Sequence, residues 1–129
     1  MSYAIIGFGK IGQALARAFA RNGIEVAVAT TRDPKSFAAE AAAIGPTIIP
    51  KTLTEAVKAD IIFLAVRFES HPEVAKALPD WTGKTIVDAM NTQAPLEELS
   101  GLPSSAFVAK VFTGARLVKG FNHLVAAVL

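Results

Sequence analysis

Positions 3–12, Tyr-Ala-Ile-Ile-Gly-Phe-Gly-Lys-Ile-Gly, constrain this chain more than any other stretch. A short apolar strand, Tyr3–Ile6, runs straight into Gly7-x-Gly9-x-x-Gly12. A helical pattern follows at once, with Ile11, Leu15, Ala18 and Phe19 on one face. Strand, glycine turn and helix in that order are the context that the dinucleotide-binding fingerprint requires. Gly7 permits the tight turn, Gly9 lets backbone approach a pyrophosphate, and Gly12 lets the helix sit close to the strand. The helix N-terminus then offers unpaired N–H groups and a positive dipole end to phosphate. Gly7, Phe8, Gly9, Lys10, Ile11 and Gly12 are therefore candidate binding residues. The alternative is a glycine-rich turn that serves only strand–helix packing.

At 129 residues the chain is read as one domain, 1–129, with enough length for a substantial core. Its hydrophobic share of 52% suits an α/β domain whose central strands are buried on both faces. A net charge of +2 is too small to argue for nucleic acid or an anionic membrane, and no basic run is interleaved with aromatics. With no cysteine, disulfides and thiolate catalysis are excluded, and a reducing cytoplasm is the expected compartment. The N-terminal apolar stretch is a strand broken by Gly7 and Lys10 rather than a signal peptide, and no run of roughly 18 apolar residues predicts a membrane span.

Along the chain, the first helix is expected over Lys10–Arg21, stopped by Asn22-Gly23. Glu25–Ala29 is the second strand. Asp33-Pro34 starts a helix running to Ile44, with Asp33 as N-cap. Thr47–Ile49 is the third strand, and Thr52-x-x-Glu55 is a capping box opening a short helix. Asp60–Val66 is a continuous apolar run, read as a central parallel strand. A helix from His71-Pro72 to about Leu78 follows, then the fifth strand Thr85–Asp88. Residues 90–102 read mostly as loop, 104–112 as a helix capped by Gly114, Arg116–Gly120 as the sixth strand, and 123–129 as helix-compatible. Alternating strands and helices with short connections predict a doubly wound parallel sheet of the Rossmann type in order 3-2-1-4-5-6. The cofactor is expected across the carboxyl ends of strands one and four.

The loop after strand two selects the nucleotide. An NAD domain usually places Asp or Glu there for the ribose hydroxyls. This chain has Thr30-Thr31-Arg32 and no acid before Asp33. Two hydroxyls and a guanidinium can hold a ribose 2′-phosphate, so NADP(H) is favoured over NAD(H). Arg32 as a solvated loop charge, with Asp33 facing the ribose, is the alternative.

These residues carry a family likeness. The pieces are Ile5-Ile6-Gly7-Phe8-Gly9-Lys10-Ile11-Gly12, Thr30-Thr31-Arg32-Asp33-Pro34, Ile61–Val66, Ile86-Val87-Asp88-Ala89-Met90-Asn91, and Ala115–Asn122. Through them the chain resembles the N-terminal domain of the coenzyme F420-dependent NADP oxidoreductase family. The resemblance implies NADPH binding and hydride passage between the nicotinamide and a flavin, deazaflavin or similar small-molecule acceptor. It further implies that Gly7, Gly9 and Gly12 line the pyrophosphate and that Thr31 and Arg32 hold the 2′-phosphate. Ala65, Val66 and Arg67 would lie beside the ribose, with Asn91 and Asn122 near the nicotinamide. The family usually has Pro where this chain has Arg67, and its members continue beyond the Phe-Asn segment into a part that helps form the acceptor pocket and the dimer contact.

Hydride transfer to a flavin-like ring needs little acid–base help, so no catalytic residue is named. His71 and His123 are candidates for proton transfer or for lining the pocket; a surface or structural histidine is the alternative for each. Arg67 either contacts phosphate or is a solvated loop charge, and Phe68 either stacks on adenine or covers the sheet end. Asp88 reads as a cap, Glu97-Glu98 as surface, and Trp81 as rim packing beneath the fifth strand. The two histidines make no metal site. The apolar segment 121–129 is expected to pair two copies as a homodimer. The reading from a different class is an NADP(H)-binding module or sensor without its own turnover.

Overall fold

In the computed structural model, residues 2–30, 32–66, 71–78, 80–88 and 112–119 are described. Six parallel strands form one sheet in the order β3-β2-β1-β4-β5-β6. The strands are β1 (Tyr3–Ile6), β2 (Val26–Ala29), β3 (Ile48–Pro50), β4 (Ile61–Leu64), β5 (Thr85–Asp88) and β6 (Arg116–Lys119). Between them run α1 (Lys10–Arg21), α2 (Ala38–Ile44), α3 (Leu53–Ala56) and α4 (His71–Ala75). This is the order and class that the alternation predicts.

The register explains why the strands read as continuous apolar runs. Ile5 lies opposite Val28 and Phe63, and Phe63 opposite Val87, so these four share one face. That face packs with Leu15 and Ala16 of α1, Ala41 of α2, and Phe37. Ala4, Ile6, Ile62, Leu64 and Ile86 form the other face, packed with Ala56 of α3 and Val74 and Ala75 of α4. Each fully buried aliphatic side chain contributes about 1.5–3 kcal/mol. With both faces covered, polar alternation in the central strands would be costly.

Helix α1 stops where its C-terminal chemistry says it should. Asn22 donates from Nδ2 to the Ala18 carbonyl at 2.8 Å, and Gly23, at φ +66°, donates to Ala20 at 3.1 Å. The expected helix from Asp33 to Ile44 is instead two pieces. A 3-10 turn covers Pro34–Ser36, Phe37 interrupts at φ −130°, and α2 begins at Ala38. The break turns the Phe37 ring inward, where it is 2% exposed. The capping box forms as expected, with Thr52 Oγ1 accepting from the Glu55 N–H at 3.3 Å. Trp81 departs from its rim reading. It is 1% exposed, stacks edge-on against Phe112 with ring centroids 4.8 Å apart, and donates from Nε1 to the Ala75 carbonyl at 3.0 Å. The indole seals the α4 side of the core. The expected helix 104–112 lies, apart from Phe112, outside the described residues, as does the segment 121–129.

Candidate functional site

The sheet order reverses between β1 and β4, and the chain leaves the carboxyl ends of both strands there in different directions. The glycine loop occupies that crevice. Gly7 donates to the Ala29 carbonyl at the end of β2 (2.7 Å), while Ala65 donates to the Ile6 carbonyl (2.8 Å). Gly7 has φ +108°, and a Cβ on it would lie 2.5 Å from the Ala65 carbonyl oxygen and 2.9 Å from the Val66 nitrogen. A Cβ on Gly12 would strike the Gly7 carbonyl. Backbone proximity thus dictates both glycines. Gly9 differs. Its φ of −81° suits any residue, it is exposed, and nothing lies within 4 Å of where its Cβ would be. Nothing in the fold requires glycine at this position.

Above Gly9 sits the start of α1. No side chain caps it and no acidic residue lies in its first turn. The first helical bond runs from Gln13 N–H to the Gly9 carbonyl at 2.9 Å. Among the described residues, nothing accepts from the N–H groups of Lys10, Ile11 or Gly12. The Lys10 side chain is exposed beside them. An uncapped helix start next to a lysine suits an anion electrostatically. The Phe8 and Ile11 side chains turn to the core side: Phe8 is 9% exposed and meets the Phe37 ring at 5.6 Å between centroids. Residues 7–12 therefore offer backbone, with Lys10 as the exposed side chain of the group.

After β2, Thr30 is buried and its Oγ1 accepts from the Arg32 N–H at 2.9 Å, which bends the loop. Arg32 is exposed, and its guanidinium makes no hydrogen bond or ion pair among the described residues. Asp33 Oδ1 accepts from Lys35 N–H at 2.9 Å, so this carboxylate caps the 3-10 turn as its sequence position predicts. Ala65 and Val66 follow β4 and border Gly7. His71 opens α4 and Asp88 ends β5 opposite Leu64. Thr31, Arg67, Phe68, Asn91, Glu97, Glu98, Asn122 and His123 lie outside the described residues. Two residues escaped sequence reasoning. Gln13 donates from Nε2 to the Phe8 carbonyl at 3.0 Å, and Phe37 packs beneath Phe8. A polar side chain just after Gly12 was a signal for the first; the second had none.

Among the described residues, the carboxylates with shifted pKa values lie elsewhere. Asp60, at the opposite end of β4, is held below the usual range by hydrogen bonds from Ser2. Glu55 is lowered by Thr52 and Asp80 by Thr82. A groove of about 450 Å³ beside α3, bordered by Ser2, Glu25, Lys51, Glu55 and Lys58, does not include the glycine loop. Among the described residues no group of three His, Asp or Glu side chains could hold a metal, and no helix is long and apolar enough to cross a membrane.

The sheet order, the glycine contacts and the uncapped helix define a Rossmann-type dinucleotide-binding domain. The chain belongs to the family of NADP oxidoreductases, coenzyme F420-dependent, whose model matches residues 2–92. NADP(H) is accordingly its nucleotide. It is similar to a hypothetical protein from Sinorhizobium meliloti, with 33% identity and TM-score 0.87 over 98% of this chain and 65% of that one. It is also similar to a candidate F420-dependent NADP reductase from Arthrobacter sp. FB24, with 24% identity and TM-score 0.74 over 95% of this chain and 62% of that one. A reductive aminase from Aspergillus terreus, in complex with NADPH and ethyl-5-oxohexanoate, gives 21% identity and TM-score 0.70 over 92% and 39%. The last two likenesses show the shared fold. The chain spans between 39% and 65% of these proteins' lengths. No curated protein matches it significantly.

Proposed function

We propose that this chain is the NADP(H)-binding domain of an oxidoreductase that passes a hydride between NADPH and a flavin-like, deazaflavin-like or other small-molecule acceptor. The observation that carries the reading is Gly9. Its backbone is unstrained and its side-chain space is empty, so the absence of a Cβ there serves something that approaches from outside. A pyrophosphate over the free N–H groups of Lys10, Ile11 and Gly12 is such a group. Lys10 adds charge at the same point. Thr30 shapes the adjoining loop, and Thr31 and Arg32 take the 2′-phosphate. Ala65, Val66 and Arg67 border the ribose, with Asn91 and Asn122 toward the nicotinamide. When bound, the nicotinamide supplies or accepts the hydride, and the chain's own contribution is orientation and electrostatics.

Calorimetric titration with NADPH and separately with NADH tests the binding. Tight NADPH and weak NADH are expected. A screen of flavins, deazaflavins and imines, read through loss of nicotinamide absorbance, tests the reaction. Binding without turnover of any acceptor would reduce the assignment to an NADP(H)-binding module. A homodimer through residues 121–129, in the cytoplasm, completes the proposal; light scattering showing a monomer at micromolar concentration would remove the dimer.

A further inference from the structure

We infer that Gln13 is a positioning residue for the nucleotide: its side-chain amide holds the Phe8 carbonyl back and so leaves the Gly12 N–H in the first turn of α1 free for the pyrophosphate. This rests on the reading of the glycine loop proposed above.

In a helix each N–H bonds to the carbonyl four residues earlier. Gln13 N–H does this with Gly9. One step back, the partners would be Gly12 N–H and the Phe8 carbonyl, and that bond is not made. The Phe8 carbonyl instead accepts from Gln13 Nε2 at 3.0 Å, within a partly buried contact. The side chain of the residue after Gly12 thus takes the oxygen that the helix would otherwise recruit. A released carbonyl has two alternatives, and both oppose an anion. It can swing into the helical position and consume the Gly12 N–H, or it can face the crevice with its negative end.

The direction of the Gln13 amide is set by its neighbour. Arg17, one turn on, donates from Nη2 to Gln13 Oε1 at 3.4 Å. A guanidinium only donates, so it selects the oxygen and leaves Nε2 for Phe8. Phe8 is then gripped twice, its ring by Phe37 and its carbonyl by Gln13. Nothing about α1 as a packing element calls for this amide. Its buried residues are Gly12, Leu15 and Ala16.

The test titrates wild type, Gln13→Met and Gln13→Ala with NADPH and with 2′-AMP, which has the phosphate-bearing adenosine but no pyrophosphate. Methionine keeps the length and loses the donor, and alanine favours the helix, so both variants fold. Losing one hydrogen bond and one free amide predicts a rise of about five- to tenfold in the NADPH dissociation constant of both variants, with 2′-AMP held within about twofold. Arg17→Ala gives a smaller rise in the same direction. Unchanged NADPH affinity in Gln13→Met, with wild type binding normally, overturns the inference. So does an equal loss for both ligands, which is general loosening. If wild type itself fails to bind NADPH, the reading of the site falls and this role falls with it.

Discussion

Gly7 and Ala65 meet backbone to backbone: a Cβ on Gly7 would sit 2.5 Å from the Ala65 carbonyl oxygen. Neither group can yield, because Ala65 N–H is bonded to Ile6 and Gly7 N–H to Ala29. The contact locks the glycine loop to the end of β4 and fixes the crevice between them. Of the three loop glycines, Gly7 and Gly12 are dictated by backbone proximity, whereas nothing in the fold requires Gly9.

Gly7→Ala must therefore destabilise the protein. Its φ of +108° is costly for any side chain, and the overlap is with backbone. Together these cost about 3 kcal/mol or more. Urea unfolding reads this directly, and a midpoint close to wild type would contradict it.

Gly9→Ala is expected to behave oppositely. With an ordinary φ of −81° and open space around it, the variant loses no more than about 1 kcal/mol, the difference between glycine and the poorer N-cap alanine. Its NADPH affinity falls at least about tenfold, because the methyl group occupies the approach of the pyrophosphate. Normal stability with normal NADPH affinity would remove the observation on which the proposed function stands.

Substitutions at Arg32 and Asp33 test the choice between the two nucleotides. A charge-assisted contact to a phosphate is worth about 1.5–3 kcal/mol, so Arg32→Ala should weaken NADPH about 10- to 100-fold and leave NADH nearly unchanged. Asp33→Ala removes the bond to Lys35 N–H and costs about 1 kcal/mol of stability without changing the preference between nucleotides. A selective loss of NADH binding in Asp33→Ala would place that carboxylate on the ribose instead.

What the sequence conveyed was whatever depends on neighbours in the chain. Strand order followed from β–α alternation, and the glycine turn, the Asn22-Gly23 stop and the Thr52–Glu55 cap are all local chemistry. The Asp33 cap is legible too, but nothing local signals that the helix it opens breaks at Phe37. That break depends on Phe37 reaching Phe8, which is remote from it in the chain, and no local pattern encodes such a contact. The burial of Trp81 is hidden from the sequence for the same reason. Pro79-Asp80-Trp81-Thr82-Gly83 looks like a surface turn, yet its indole finds Ala75 and Phe112 in the core. The Gln13 bond to Phe8 belongs to the same class, a side chain folding back on a loop whose shape is set by β4.

The Trp81 placement carries its own prediction. A rim indole can be truncated for less than about 1 kcal/mol, whereas a buried one costs about 3–5 kcal/mol when cut to alanine. Trp81→Ala should show the larger figure by denaturant unfolding followed with circular dichroism. Trp81→Phe keeps most of the volume but orphans the Ala75 carbonyl, and falls in between. Trp81 is the sole tryptophan, so wild-type fluorescence also reports it, with blue-shifted emission that moves red on unfolding.

The ends of β1 and β4 opposite the crevice are tied by a carboxylate whose contribution to stability is lost in acid. Ser2 donates to Asp60 Oδ2 from its backbone N–H (3.0 Å) and its hydroxyl (3.1 Å), and accepts from Asp60 N–H at 3.0 Å. Those donors stabilise the ionised carboxylate and hold its pKa below the usual range. Glu55, bonded by Thr52, and Asp80, bonded by Thr82, are lowered in the same way. A carboxyl whose folded pKa lies below its unfolded one contributes stability that is fully present above the unfolded value. That contribution is lost as the pH falls through the folded value. Thermal midpoints should therefore decline below about pH 4, where these groups take up protons. All three side chains are exposed, so each effect is small and salt reduces the charge component. Asp60→Asn keeps an oxygen for Ser2 but cannot titrate, so its midpoint should fall less steeply than wild type over the same range. Parallel curves for the two proteins would show that the Ser2–Asp60 pair plays no part in the loss of stability in acid.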